Sequence, residues 1–308
     1  MKFSFKTSAT ALFILMSVVL FSCKKESSAP AVQVTEEEAQ TISEESAEAD
    51  ASYDDAAEIG LSLSSDVEAV IGGVNNSNGN FGMNGAADGR LELNLNLFED
   101  LAAKVGPCTK ITVEPMDSTF PKKITIDYGD GCICRDGKFR KGAVILHYTA
   151  PIRRPGAVLT ITFRGFYVNR AHIEGTKIIK NESENGAIAY SKAVVNGKIT
   201  FPNGRGFSYT GVKHVTQVRG METRTVRDDV YTIEGRSELK YNNGVTVTKN
   251  TESPLVKAVS CNWISKGVLK IKINDRVLYL DYSYNNSDCD NLALLKWATG
   301  EKIIRLPL

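Results

Sequence analysis

Histidine is nearly missing: His147, His172 and His214 are the only three in 308 residues. They lie far apart and no His-Glu-x-x-His helix exists, so a zincin site is excluded. Each falls in a stretch expected to be strand, where a half-exposed sheet residue is the plain expectation. No phosphate-binding glycine loop or dinucleotide fingerprint is present. Gly206-Phe207-Ser208-Tyr209-Thr210-Gly211 is one residue too long for a nucleophile elbow and lacks the strand-to-helix context. Cys132 and Cys134 have no nearby histidine and no second paired spacing, which argues against zinc. Asp127, Asp130 and Asp136 flank glycines but miss the alternate-position spacing of a calcium loop, so they read as strand-connecting turns. No metal and no cofactor are expected. Long apolar runs are also missing. The only one, Ala9 to Phe21, is too short to cross a membrane.

That run has its own meaning. Lys2 and Lys6 precede it, and it ends at Leu20-Phe21-Ser22-Cys23. A charged n-region, a short apolar h-region and a small residue before the cut are the anatomy of a secretory signal. A cysteine directly after the cut resembles a bacterial lipobox, in which the thiol is diacylated before cleavage. Phe21 departs from the small residue usual at its position. The resemblance implies a signal peptide over 1–22, fatty acyl chains such as palmitate on Cys23, and an exported, membrane-tethered chain. Nucleic acid is not an expected partner there.

Charge is unevenly distributed. From Lys24 to Gly60 two lysines face eleven acids, a net of −9, whereas Leu61 to Leu308 carries a net of +8. Residues 23–46 are polar, acidic and poor in apolar positions, which predicts a flexible tether. Over 47–106 a helical and loop segment is expected to pack on the body. Tyr53, Ala56, Ile59, Leu63, Val67 and Val70 recur at three- and four-residue steps, predicting an amphipathic helix that ends at Gly72-Gly73. Glu48, Asp50, Asp54 and Asp55 would then occupy its first turns, where the helix dipole favours acids. A loop follows over 74–89, and 97–105 suggests a second short helix.

Over 107–308 the chain reads as strands. Leu159, Ile161 and Phe163 alternate with polar residues, and past Gly165 the apolar phase flips to Phe166 and Val168, which marks a β-bulge. Asn274-Asp275 predicts a tight hairpin between two alternating runs, with more turns at Glu184-Asn185-Gly186, Pro202-Asn203-Gly204 and Asn242-Asn243-Gly244. The fold class is mainly β: an antiparallel meander forming a β-sandwich or a partly open barrel, preceded by the helix. A faint echo links Ile173-Glu174-Gly175-Thr176 with Ile233-Glu234-Gly235-Arg236.

Five cysteines follow Cys23, and an oxidising compartment favours disulfides. Cys132-Ile-Cys134 is too tight to close on itself. Cys261 opens a strand and Cys289 follows the hairpin that returns to it, so these two should pair. Cys108 and Cys132 should pair likewise across the preceding strands, leaving Cys134, which could exchange with Cys132.

The lipobox, the Asp-Tyr-Gly-Asp-Gly-Cys run, the Arg-Lys-Gly before a strand and the late Cys-Asn-Trp-Ile together resemble a group of lipoproteins common in Bacteroidota. The likeness spans roughly 105–308. It implies an envelope location and a β domain but brings no activity with it.

Two kinds of site remain. Arg135, Lys138, Arg140, Lys141, Arg153 and Arg154 gather around one predicted strand and suit either a solvated rim or an anion-binding patch. Asp228, Asp229, Glu174 and Glu234 could supply a carboxylate pair for glycoside hydrolysis, if the fold brought two together. The expected function is that of a lipid-anchored envelope lipoprotein, placed at the outer membrane on its periplasmic face or at the cell surface. Its non-catalytic β domain would bind or buttress an anionic lipid, lipopolysaccharide or glycan. The alternative is a carboxylate-dependent hydrolase acting on glycans. The anchor is directly testable: Cys23→Ala should abolish labelling by a fatty-acid probe and release the protein from the membrane pellet, and unchanged pelleting would refute it.

Overall fold

A computed structural model describes residues 34–74, 84–85, 91–92, 108–115, 117, 119–184, 186–222, 228–284 and 289–306. The segment ending at Cys23 and the short helix expected over 97–105 lie outside these residues.

Helix α1 spans Glu36–Val74, and its side chains are described as far as Leu63, apart from Ser62. The strands are β1 (Asn84–Gly85), β2 (Leu91–Glu92), β3 (Lys110–Glu114), β4 (Lys122–Asp127), β5 (Cys132–Ile133), β6 (Phe139–Tyr148), β7 (Val158–Val168) and β8 (Ala171–Asn181). They continue as β9 (Ala189–Thr200), β10 (Gly206–Arg219), β11 (Val230–Tyr241), β12 (Thr246–Ala258), β13 (Lys266–Ile273), β14 (Arg276–Asp281), β15 (Leu292–Trp297) and β16 (Gly300–Arg305). From β3 to β16 they form one antiparallel sheet that does not close, with β1 and β2 as short additions at one edge. Spatial order follows chain order throughout, except that β5 pairs only with β6. The chain is therefore a meander in one sheet, not two stacked layers.

Sequence dictates this locally. The expected turns connect the strands: Pro202–Gly204 joins β9 to β10, Asn242–Gly244 joins β11 to β12, and Asn274-Asp275 makes the two-residue turn between β13 and β14, with Asn274 at φ 49°. The bulge at Gly165 is present, with a register shift between Thr162 and Phe166. Leu159, Ile161 and Phe166 are fully buried on either side of it. The sequence echo marks two more bulges. Pairing slips between Glu174 and Thr176 around Gly175, and between Ile233 and Arg236 around Gly235. Each bulge bends its strand and adds twist, which curls the sheet around the helix.

A single row of paired residues crosses the concave face: Val113, Ile124, Leu146, Ile161, Lys177, Val194, Gly211, Ser237, Lys249, Ile271 and Leu278. Its ends are apolar and buried; its middle carries the buried polar residues Lys177, Ser237 and Lys249, with the buried Val194 and the half-buried Gly211 between them. The helix lies across this face. Glu36 accepts a hydrogen bond from Thr299 beside β16, Lys249 of β12 bonds Ser46 O, and Tyr148 of β6 bonds Gly60 O at 2.6 Å. Twenty-four helical residues advance about 36 Å, while ten strand spacings measure about 48 Å along the sheet. The helix is a chord across a curled sheet.

Two expectations change. The helix starts at Glu36, not near Ala47, so 36–46 is no tether. Its buried positions there are Ala39, Ile42, Ser43 and Ser46. Apart from Ile42 these are small residues that carry little hydrophobic signal, yet they let the helix lie close to the sheet. Thr35 caps it by accepting from Glu38 N at 3.1 Å, half of a Thr-x-x-Glu capping box. The acids near the helix dipole are thus Glu36, Glu37 and Glu38. Asp50, Asp54 and Asp55 sit mid-helix, where charges on the sheet hold them.

Disulfides join Cys108 to Cys132 and Cys261 to Cys289, and Cys134 is a buried thiol. The bulge at Gly175 has no room for a side chain. A Cβ there would lie 2.6 Å from Asn196 O and from Gly197 Cα, on a backbone at φ 109°. Gly175→Ala should therefore lower stability by about 2–4 kcal/mol, read as a fall in the urea midpoint with little change in slope; an unchanged midpoint would show that the bulge relaxes freely.

Candidate functional site

The polar middle of the concave row meets an acidic stripe on the helix. Asp50 and Asp54 are one turn apart and share a face, with Asp55 beside them. Lys249 Nζ lies 2.7 Å from Asp50 Oδ2, and Lys177 Nζ lies 2.8 Å from Asp54 Oδ1. Lys213 bridges the two acids, 2.9 Å from Asp54 Oδ2 and 3.5 Å from Asp50 Oδ1. Tyr209 donates its hydroxyl to Asp50 Oδ1 and stacks on Tyr53 at 5.2 Å between centroids. Further along, Arg140, with no exposed surface, holds Asp55 and Asp136, each at 2.8 Å. Lys138 also reaches Asp55, at 2.9 Å.

Burial alone would raise the Asp50 carboxyl, but Lys213 and Lys249 outweigh it and hold it at about 2. The same contest leaves Asp54 well below the carboxylate range, through Lys177, Lys213 and Lys192. Burial pulls Lys177 and Lys249 below the usual ammonium range. Lys213 is held well above it, because two carboxylates overcome its burial.

Beside this seam is a cavity of about 570 Å³ between the helix and β11–β13. One wall is charged, with Asp50, Asp54, Lys192, Lys213 and Lys249. Ile233, Leu255, Trp263, Ile264 and Leu269 add apolar surface, and Arg236, Thr251, Lys257 and Asn262 also line the cavity. A smaller cavity of about 340 Å³ is lined by Arg153, Tyr190, Asp229 and Tyr231.

The six basic residues singled out from the sequence do not form one patch. Arg140 and Lys138 hold helix carboxylates and face inward. Arg135 and Lys141 are exposed near the start of β6, and Arg153 and Arg154 are exposed beyond its end. Ten residues of strand separate the two groups by about 30 Å. The carboxylates considered for hydrolysis are likewise dispersed. Glu174 faces Lys198 at 3.4 Å, Glu234 pairs across strands with His214, and Asp229 is buried against Gln217 and Tyr231. His147 and His214 are exposed and His172 is half-buried, stacked on Tyr167. Asp127 and Asp136 cap their own turns, accepting from Gly129 N and Lys138 N. Among the described residues no group of three His, Cys, Asp or Glu side chains could hold a metal ion.

Sequence reasoning missed Lys177, Lys192, Lys213 and Lys249. A signal existed: Lys249 shares the strand parity of Val245 and Val247, and Lys213 that of Tyr209 and Val215. A cation on the apolar side of an alternation is a buried cation awaiting a counter-charge.

The depressed Asp50 carboxyl links stability to pH. Its ordinary value lies near 4, so its contribution is complete above that range and is lost as pH falls from about 4 through about 2, an effect on the order of 2 kcal/mol. Asp50→Asn should leave Lys249 buried without its carboxylate, lower stability at pH 7 by about 3–5 kcal/mol and flatten the decline between pH 4 and 2. Urea midpoints across pH measure both, and a variant as acid-sensitive as the parent would disprove the assignment.

No family model matches the chain, and neither the curated proteins nor the solved structures include one similar to it.

Proposed function

We propose that the chain is a lipid-anchored, non-catalytic binding module of the bacterial cell envelope. It is tethered through Cys23 at the outer membrane, and its β domain holds an anionic envelope component beneath the helix. The observation that carries this reading is the cavity, about 570 Å³ with both apolar and charged side chains in its lining. That volume and lining suit a single small ligand. A purely structural sheet would fill such a space with side chains, as the Val113–Ile161 end of the row does.

A binding role is also favoured by the condition of the acids at the site. Asp50, Asp54 and Asp55 are each held by a lysine or arginine that lowers the carboxyl, so none of the three is poised to exchange a proton near neutral pH. The exposed Arg135, Lys141 and Arg154 would meet an anionic membrane or glycan surface from outside.

Native mass spectrometry of the protein released gently from envelope membranes tests this. One small molecule per chain is expected, and Ala51→Trp, which projects an indole into the cavity, should lose it while keeping the parent's circular dichroism. A parent without adduct, or an adduct retained by the filled variant, would overturn the reading.

A further inference from the structure

Resting on that binding reading, we infer that the ligand is a single-chain amphiphile whose anionic head is received by Lys192, Tyr282 and Trp263. The cavity's aspartates are taken: Asp50, Asp54 and Asp55 are bound by the sheet cations and Asp136 by Arg140, while Glu58, which also lines it, is exposed. The lining donors with no acceptor among the described residues include Trp263, Tyr282 and Lys192, besides the exposed Arg236 and Asn262. The Trp263 Nε1–H is buried and unpaired. The Tyr282 hydroxyl, on a residue 8 % exposed, makes no hydrogen bond there. Lys192 is half-buried on β9 directly opposite Lys213, and unlike Lys213 it has no carboxylate within ion-pair distance.

Unpaired buried donors are costly, and a charged one most of all. A ligand that supplies acceptors to these donors relieves them. A cationic head would meet carboxylates already occupied and an extra ammonium. Ile233, Leu255, Ile264 and Leu269, from three successive strands and the loop between β12 and β13, give the cavity an aliphatic surface, beside which Arg236, Ser237, Thr251, Lys257 and Asn262 also line it. That aliphatic surface suits an alkyl chain, whose burial is driven by the apolar area removed from water. Carboxylate and phosphate heads share the required chemistry.

Calorimetric titration of the full exported chain with decanoate, decyl phosphate, decanol and decyltrimethylammonium, each below its micellar concentration, tests the inference. One anionic molecule should bind per chain, about tenfold or more tighter than decanol or the cation, and the preferred anion separates a fatty-acid head from a phosphate head. Lys192→Met should weaken the anions by about tenfold to a hundredfold, the worth of a charge-assisted hydrogen bond, and leave decanol unchanged, while Lys192→Arg keeps the preference. Tyr282→Phe and Trp263→Phe should each weaken the anions only. Equal binding of all four probes, or a preference for the cation, would overturn the head-group assignment while the cavity reading stands. Binding of none would overturn both.

Discussion

The structure depends on a buried seam of charge. Three helix carboxylates, Asp50, Asp54 and Asp55, meet Lys177, Lys213, Lys249 and Arg140 from four different strands. Such pairs add little net stability compared with apolar packing, because desolvation offsets most of the attraction. Their importance is positional. The helix packs through Ile42, Tyr53, Ile59 and Leu63 with Ala39, Ala49, Ala56 and Ala57 between them, and apolar contacts of this kind tolerate small sliding or rotation. Ion pairs do not tolerate either, since a shifted helix would leave several charges buried without partners. The seam therefore sets the helix in one register on a sheet that lacks a second layer.

The same arrangement creates the cavity. A straight helix spanning a curved sheet touches it closely at some strands and stands away at others. Near β6 and β7 contact is tight: Gly60 lies so close that a Cβ would meet Leu159 Cδ2 at 2.8 Å. Toward β11–β13 the sheet bows away, and the space between is lined by both the seam and aliphatic side chains. Fold and site thus have one origin, and the charges that hold the helix down also form the polar end of the cavity.

Much of the fold was legible because strands and turns write themselves locally. Period-two alternation located β7, β13 and β14. The phase flip at Gly165 located a bulge, and Asn274-Asp275 located a hairpin. Knowing which strands turn back on each other was enough to pair Cys108 with Cys132 and Cys261 with Cys289. The helix start was less legible, since Ala39, Ser43 and Ser46 are buried for their smallness and not for their hydrophobicity. The basic residues were legible as charges but not as positions. Arg135 and Arg140 look alike in the sequence, yet one is exposed and the other lies wholly inside.

By itself the sequence determined that this is an antiparallel β chain with an N-terminal helix, two disulfides, and no motif for metal, phosphate or nucleophile chemistry. Each of those properties is carried by neighbours within a few residues or by the closing of one hairpin. Only the tertiary structure decided where the charges go. Lys177 and Asp54 are 123 residues apart, and Lys249 and Asp50 are 199 apart. Their meeting depends on how far a bulged sheet curls and where a helix crosses it, which is the sum of many small strand twists and is not written at any one position in the chain.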